Sequence, residues 1–266
     1  SRDLYGLAYA WVGHWRGGLA SATVVACSSF AAVSGSSLAT AVTIGRVALP
    51  EMERYGYDAR LATGCVAAGG TLGILIPPST GFIVYALLTE QSIGKLFLAG
   101  VVPGLLLSAL FVLAIVLITS MRPEYGPPGA RAAWAARMRA LYEASGILAI
   151  AVISIGGIYA GIFTTTEAAS VGAFLALVFT AWRCFRRNTG SMQAIKQLAA
   201  ATRGALLDTM RVTAMVFLIL IGAQVFSPFM ALTQIPSDLA GLLEGLNLPP
   251  TVVMVILLVV YVILGM

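Results

Sequence analysis

Two long hydrophobic segments near the start of the chain are each interrupted by residues that break helices. Residues 17–45 carry no charged side chain, and the sequence Ser-Gly-Ser-Ser at 34–37 interrupts them in the middle. Residues 61–89 are also uncharged, and a Gly- and Pro-containing stretch at 69–79 interrupts them. Each segment could cross a bilayer, which takes roughly 20 apolar residues. Broken helices at membrane depth survive only inside protein or beside a cavity, so the pair predicts a transport site.

The helix ends that precede the breaks predict a cation site. We expect the first helix to end near Val33 and the first half of the second segment to end at Gly69 and Gly70, because glycine commonly follows a helix C-terminus. Such ends present free carbonyl oxygens and a partial negative charge. Carbonyl oxygens can replace the water shell of a hard monovalent cation such as Na+.

The helix starts that follow the breaks predict an anion site. Ser36 and Ser37 are good N-cap residues, and Pro77 and Pro78 are favoured in a first helical turn. Free N–H groups and a partial positive charge at these starts suit a carboxylate. Two plainer interpretations stay open: residues 34–37 as a polar surface loop, and a Gly/Pro break as a simple kink.

The composition indicates an integral membrane protein without enzymatic chemistry. Of 266 residues, 59% are hydrophobic and 10% are charged, whereas soluble domains carry roughly 25% charged residues. The net charge of +5 does not indicate a nucleic-acid partner, because the basic residues lie between apolar runs, where they set topology. Cys27, Cys65 and Cys184 lack metal or disulfide spacing and are expected to be small buried side chains. No catalytic set or phosphate loop is visible, so we expect no enzyme, cofactor or transition metal.

The hydrophobic pattern predicts an all-α polytopic membrane protein. Its expected parts are an interfacial helix (1–16), a first-repeat transport part (17–121, with a re-entrant hairpin 18–50, a broken helix 58–89 and a helix 93–121), a basic cytoplasmic loop (122–143), membrane helices (144–233), a periplasmic interfacial segment (234–249) and the start of a second, truncated hairpin (250–266). Basic residues flank the hairpin at both ends, which places those ends in the cytoplasm.

A short sequence similarity within the chain supports an inverted repeat. The sequence Asp-Leu-Tyr-Gly-Leu at 3–7 resembles Asp-Leu-Ala-Gly-Leu at 238–242, and each precedes an apolar segment that enters the membrane. The two are expected to enter from opposite sides, as an inverted repeat requires. Because the sequence stops at Met266 inside an apolar run, we expect the chain to be a part of a longer permease with a truncated second repeat.

Two polar pairs have structural interpretations. Thr164 and Glu167 have the spacing of a capping box that opens the next helix. Asp208 and Arg211 lie one helical turn apart, and we expect a local ion pair.

Six short stretches occur in the order typical of a known family: RGGLA (16–20), SGSS (34–37), GYD (56–58), TLGILIPPS (71–79), SIGKLFLAG (92–100) and GIFTTTEAA (161–169). With these stretches the chain resembles the large membrane subunit of tripartite ATP-independent periplasmic (TRAP) transporters of the dicarboxylate type. One departure is Thr165, where that family usually has proline.

The resemblance implies an elevator-type transporter in the bacterial inner membrane, built from inverted repeats and driven by a sodium gradient. It further implies two protein partners, a small membrane subunit and a periplasmic substrate-binding protein that delivers an organic acid. The residues assigned to sodium, mainly through backbone oxygens, are Ser34, Gly35, Ser36, Ser37, Gly70, Thr71 and Gly73. The residues assigned to the substrate are Ser36, Ser37, Pro77, Pro78 and Ser79.

Two other functions are compatible with the same sequence. A single-component Na+/dicarboxylate symporter of similar fold would take up its substrate without a binding protein. A channel would pass current without saturable uptake, and a membrane scaffold would show no sodium-dependent ligand protection.

Overall fold

The computed structural model of the chain describes residues 2–129, 131–187, 191–235, 237–238, 241 and 249–265. Its helices are α1 (Arg2–Val12), α2 (Gly18–Ser34), α3 (Ser37–Arg54), α4 (Ala59–Leu75), α5 (Thr80–Thr89), α6 (Ile93–Met121), α7 (Trp134–Tyr159), α8 (Thr165–Arg187), α9 (Ser191–Leu232) and α10 (Pro250–Gly265). A 3-10 turn at Pro123–Tyr125 follows α6. No strand occurs among the described residues, which confirms the all-α class for this part of the chain.

Five segments of the described chain are long and apolar enough to cross a membrane. They are Ala59–Thr89, which joins α4 and α5, Ile93–Met121, Trp134–Tyr159, Thr165–Arg186 and Met192–Leu232. The apolar helix Gly18–Ser34 is shorter, with 17 residues. A protein with this many spanning segments is a polytopic membrane protein.

Helix α2 lies at the centre of the core of the first part of the chain. Helices α1, α3, α4 and α6 all pack against it, and Ala22, Val24 and Cys27 on α2 are completely buried. Small side chains allow neighbouring helices in membranes to approach closely. A Cβ atom on Gly69 of α4 would lie 2.9 Å from the Sγ atom of Cys27. Cys27 and Cys65 are buried and free, as predicted, whereas Cys184 is free but only partly buried, contrary to the prediction.

The chain forms two compact units, Ser1–Leu206 and Leu207–Met266. The second unit contains the C-terminal part of α9 and helix α10. Its apolar side chains are largely exposed; Leu218 is 72% exposed and Tyr261 is 70% exposed. Exposed apolar surface of this extent is expected where helices face lipid or another protein.

Helix α3 is longer than predicted. The hairpin was expected to end at residue 50, but α3 continues through Pro50 to Arg54. Proline inside a helix removes one backbone donor, and the helix nevertheless adds another turn, in which the N–H of Tyr55 donates to the carbonyl of Glu51 at 3.1 Å.

The prediction of a loop over residues 122–143 is wrong in its second half. Helix α7 begins at Trp134, because the sequence from 134 to 143 is rich in good helix formers. Arg139 also pairs with Glu143 one turn later, at 3.7 Å. The polar residues at 134–143 therefore belong to the part of α7 that lies outside the apolar layer, and their polarity does not show where the helix begins.

The remaining loop is fixed to the core by hydrogen bonds. The N–H of Gly17 donates to the carbonyl of Gly126 at 3.0 Å. The hydroxyl of Tyr57 donates to the carbonyl of Pro127 at 2.8 Å and accepts from the N–H of Leu19 at 3.1 Å. Burial raises the pKa of Tyr57, so this hydroxyl stays protonated and keeps its donor role. Most of the predicted interfacial segment 234–249 lies outside the described residues.

Candidate functional site

The first break consists of two residues between α2 and α3. Gly35 ends α2 with a φ of 61°, in the left-handed region that glycine adopts without strain, and its N–H donates to the carbonyl of Ala31 at 3.1 Å. Ser36 then caps α3, because its side chain accepts from the N–H of Ala39 at 3.3 Å. The predicted ends of both helices at this break agree with the structure to within one residue.

The second break lies later than predicted. Helix α4 continues through Gly69 and Gly70 to Leu75, so the expected helix end at these glycines is wrong. The physical end is set by Pro77 and Pro78, which have no N–H to donate to the carbonyls four residues earlier. Their peptide bond is cis.

Ser79 rebuilds the hydrogen bonding after the two prolines. Its side chain accepts from the N–H of Phe82 at 3.4 Å and so caps α5, which begins at Thr80. The expected helix start at Pro77 and Pro78 is therefore wrong, because both prolines precede the cap. The Ser79 hydroxyl also donates to the carbonyl of Ile74, which has lost its helical donor at Pro78. Ser79 is completely buried. One buried hydroxyl therefore connects the end of α4 to the start of α5.

The two breaks contact each other directly. The carbonyl of Gly35 accepts from the backbone N–H of Thr80 at 3.2 Å and from the Thr80 hydroxyl at 3.0 Å. A Cβ atom on Gly35 would lie 2.6 Å from the carbonyl oxygen of Pro78. The end of α2 thus lies against the start of α5, and their opposite partial charges attract.

Helix α4 also approaches the first turn of α3 closely. A Cβ atom on Gly73 would lie 2.5 Å from the carbonyl oxygen of Ser36, and one on Gly70 would lie 2.7 Å from the Cβ of Ala41. Gly70 and Gly73 therefore serve close packing against α3, and Gly69 serves close packing against α2. Sequence reasoning interpreted one pair of them as a helix end, because a glycine in either role looks the same in a sequence.

Thr40 completes the arrangement at the start of α3. This buried residue donates its hydroxyl hydrogen to the carbonyl of Ser36 at 2.8 Å. Its oxygen lies 2.9 Å from the hydroxyl of Ser34. Because a hydroxyl has one hydrogen to donate, Ser34 is the donor in this second bond. Sequence analysis did not identify Thr40 or Thr80, although each is a polar residue in an otherwise apolar stretch.

The predicted site residues are therefore brought together only in part. Gly35, Ser36, Gly73, Pro78 and Ser79 lie at the contact between the breaks. Thr71 is exposed, and its hydroxyl donates to the carbonyl of Ala68 in its own helix at 2.7 Å.

Hydrogen bonding decides which carbonyl oxygens a cation could use. A carbonyl oxygen has two lone pairs, and those of Gly35 and Ser36 each already accept two bonds. By contrast, the last carbonyls of α2 and α4 lack helical donors. At Gly73 the missing donor is Pro77. Among the predicted residues, the carbonyls of Ser34 and Gly73 are thus acceptors without a helical donor.

The site carries no formal charge of its own. Residues 17–45 and 61–89 contain no Asp, Glu, Lys or Arg. Over the described residues, no group of three or more His, Cys, Asp or Glu side chains could hold a metal ion. Helix dipoles, backbone groups and hydroxyls are therefore the means available to bind a charged ligand in this region.

The two polar pairs outside the site have the predicted structural roles. Glu167 accepts from the backbone N–H of Thr164 at 2.8 Å, and the N–H of Glu167 donates to the Thr164 hydroxyl at 3.3 Å. This capping box opens α8 with Thr165 in the first position. Asp208 and Arg211 form an exposed ion pair at 3.8 Å.

Comparison with known proteins identifies the family. A family model described as "Tripartite ATP-independent periplasmic transporter, DctM component" matches residues 1–266. The chain is 39% identical to the C4-dicarboxylate TRAP transporter large permease protein DctM of Pseudomonas aeruginosa, over 100% of the chain and 59% of that protein.

Two further relatives carry other names. The chain is 35% identical to the isethionate TRAP transporter permease protein DctMQ of Oleidesulfovibrio alaskensis, over 100% of the chain and 40% of that protein. It is 35% identical to the ectoine/5-hydroxyectoine TRAP transporter large permease protein UehC of Ruegeria pomeroyi, over 97% of the chain and 58% of that protein. The chain belongs to the DctM family, and it spans 59% of the Pseudomonas relative's length.

Proposed function

We propose that this member of the DctM family is part of the large permease subunit of a sodium-coupled TRAP transporter that imports an organic acid. The transporter works in the bacterial inner membrane with a small membrane subunit and a periplasmic substrate-binding protein. The chain contributes one sodium site and one side of the substrate site.

The contact between the two helix breaks is the observation that carries this proposal. Within uncharged membrane segments, the end of α2 meets the start of α5 at the bonds between Gly35 and Thr80. The last turns of α4 approach the start of α3 at Gly73 and Ser36. C-termini favour a cation and N-termini favour an anion. The arrangement supports adjacent binding of Na+ and an acid group, with Ser34 and Gly73 supplying carbonyl oxygens to the cation.

The start of α3 and the start of α5 form the substrate side. Ser36 and Ser37 offer hydroxyls at the start of α3, beside the backbone N–H groups of its first turn. Ser79 shapes the start of α5, because its buried hydroxyl already bonds to Ile74 and Phe82. The relatives are named for C4-dicarboxylates, isethionate and ectoine, which differ in their carbon skeleton but share a carboxylate or sulfonate group. An anion site built from helix N-termini suits this shared group, and the skeleton is selected by the binding protein.

The same arrangement supports an elevator mechanism as part of this proposal. Helices α2, α3 and α4 pack closely through glycine and small side chains, so they can move as one body without losing the site. Inverted-repeat symmetry completes the proposal, with a second hairpin supplying the other side of the substrate site.

The test is uptake of labelled organic acids into proteoliposomes that hold the complete transporter. Uptake is measured with and without an inward sodium gradient and with and without the binding protein. A requirement for both is expected. Sodium-dependent uptake without the binding protein would instead indicate a single-component symporter, and current without saturable uptake would indicate a channel.

A single variant connects this test to the site. Ser37→Leu fills the start of α3 with an apolar side chain, and we expect it to abolish sodium-dependent uptake at normal expression. Ser120→Leu makes the same change at an exposed position of α6 and should leave uptake unchanged. Normal uptake by the Ser37→Leu transporter would contradict the assignment of this site.

A further inference from the structure

A polar cavity lies apart from the helix breaks, within the first unit. It has a volume of about 510 Å³ and is lined by Arg2, Asp3, Thr43, Arg46, Val47 and Arg183. These residues come from the start of α1, the middle of α3 and the end of α8. Three arginines and one aspartate give the lining a formal charge of +2.

The positive charge of this cavity is only partly neutralised. Arg183 pairs with Asp3 at 2.8 Å. Glu143 also interacts with the charge of Arg183, but it is itself paired with Arg139. Within the described residues, Arg2 and Arg46 form no ion pair. Two guanidinium groups are thus available, and this group matches the geometry of phosphate oxygens.

An apolar strip continues from the cavity along α3. Leu38, Val42 and Arg46 follow one another at intervals of four residues, so they share one face of the helix. Leu38 is 75% exposed and Val42 is 44% exposed. A ligand that bound Arg46 through an anionic group could therefore lay an apolar chain along this strip.

The end of α8 has the composition of a membrane–water interface. Trp182 precedes Arg183 and is 54% exposed, and the guanidinium of Arg186 lies 5.1 Å from the centre of its ring. Tryptophan and arginine concentrate where lipid headgroups lie. The cavity is thus at the depth at which a phospholipid presents its phosphate.

We propose that this cavity binds the headgroup of an anionic phospholipid. Arg2 and Arg46 hold the phosphate, and Leu38 and Val42 contact an acyl chain. Basic pockets between membrane helices are known to recognise anionic headgroups. The bound lipid would join α1, α3 and α8. This proposal needs only the membrane setting of the chain, so it can succeed or fail independently of the transported substrate.

The experiment measures binding of fluorescent phosphatidylglycerol to the complete transporter in neutral detergent. Phosphatidylglycerol, phosphatidylcholine and inorganic phosphate serve as unlabelled competitors. We expect phosphatidylglycerol to compete and both of the others to compete at least tenfold more weakly. In the double variant Arg2→Gln/Arg46→Gln, affinity should fall at least tenfold, since each surface arginine contributes a factor of about five.

The double variant Arg54→Gln/Arg60→Gln is the matched control, because both arginines are exposed and neither lines the cavity. The phosphatidylglycerol affinity of this control variant should stay within about twofold of that of the unchanged transporter. Equal competition by phosphatidylcholine would overturn the proposal, and so would displacement by inorganic phosphate, which would indicate a free-anion site. Equal losses in both double variants would also overturn it. If the cavity variant does not fold, the competition between lipids and phosphate on the unchanged transporter still tests the proposal.

Discussion

The break between α2 and α3 and the break between α4 and α5 end their helices by different chemistry. At the first break, Gly35 reverses the backbone with a positive φ. At the second, Pro77 and Pro78 withhold the hydrogen-bond donors that α4 needs to continue. Both breaks then start the next helix with a serine cap, Ser36 in one case and Ser79 in the other.

The two breaks consequently depend on their surroundings to different degrees. The proline break is set within the chain, because two consecutive prolines withhold two successive donors from α4. A single proline does not end α3, which continues through Pro50. The glycine break depends on the space left by a missing side chain, since Pro78 lies where a Cβ of Gly35 would be. The two capping serines also differ. Ser79 caps the proline break from a buried position with two hydrogen-bond partners, whereas Ser36 caps the glycine break in a more exposed position.

The largest effect is expected for Gly35→Ala. An L-residue in the left-handed region costs roughly 1–2 kcal/mol, and overpacking against Pro78 adds about 1–3 kcal/mol. We expect the free energy of unfolding in mixed micelles to fall by about 3 kcal/mol. Gly56→Ala is the control, because Gly56 has a φ of 72° and no atom within 4 Å of its added Cβ. Equal losses at both positions would show that the contact between the breaks contributes nothing.

Gly73→Ala should have the next largest effect. The added Cβ would lie 2.5 Å from the carbonyl oxygen of Ser36, and separating α4 from α3 should lower the unfolding free energy by about 2 kcal/mol. Gly64→Ala, on the same helix with nothing within 4 Å, should raise it by about 0.5 kcal/mol through helix propensity. The two changes are distinguished by their opposite sign in the same unfolding measurement. A stabilising Gly73→Ala would contradict the close packing of the two helices.

Ser79→Ala should destabilise the protein more than Ser36→Ala. Loss of an N-cap costs about 1 kcal/mol, and at Ser79 the carbonyl of Ile74, in a partly buried bond, also loses its donor, which costs about 1 kcal/mol more. We therefore expect losses of about 2 and about 1 kcal/mol in paired unfolding experiments. Equal losses would mean that the bond from Ser79 to Ile74 adds no stability.

The smallest effect is expected for Thr80→Val. This change removes the hydroxyl that donates to the carbonyl of Gly35 but keeps the backbone N–H bond, so the loss should be about 1 kcal/mol or less. Thr63→Val removes an exposed hydroxyl that bonds only within α4 and should be neutral. Thermal unfolding of the two variants side by side measures the difference, and a Thr80→Val transition identical to that of Thr63→Val would refute the role of this bond.

Local signals made the ends of several helices predictable. The first hairpin helix was expected to run from 18 to 33, and α2 covers Gly18–Ser34. The helix expected at 93–121 is α6, Ile93–Met121. In both cases a glycine or a serine cap acts on its nearest neighbours, so the local sequence contains the cause. The capping box of Thr164 and Glu167 was predictable for the same reason.

Signals that act over long distances were misinterpreted. Gly69 and Gly70 were expected to end α4 but lie inside it, because they leave space for α2 and α3. The polar stretch before residue 144 was expected to be a loop, although helix formers extend α7 into it. The error at the glycines could not be recognised without knowing which helices are neighbours. The helix formers at 134–143, by contrast, are a local signal of where α7 begins.

By itself, the sequence determined that this protein is helical, crosses a membrane and carries two uncharged breaks. These properties follow from hydrophobicity and from the backbone preferences of glycine, serine and proline. Only the tertiary structure decided that the breaks meet and that Thr80 occupies both lone pairs of the Gly35 carbonyl. The physical reason is that a hydrogen bond between residues 45 positions apart depends on helix packing, which no local pattern specifies.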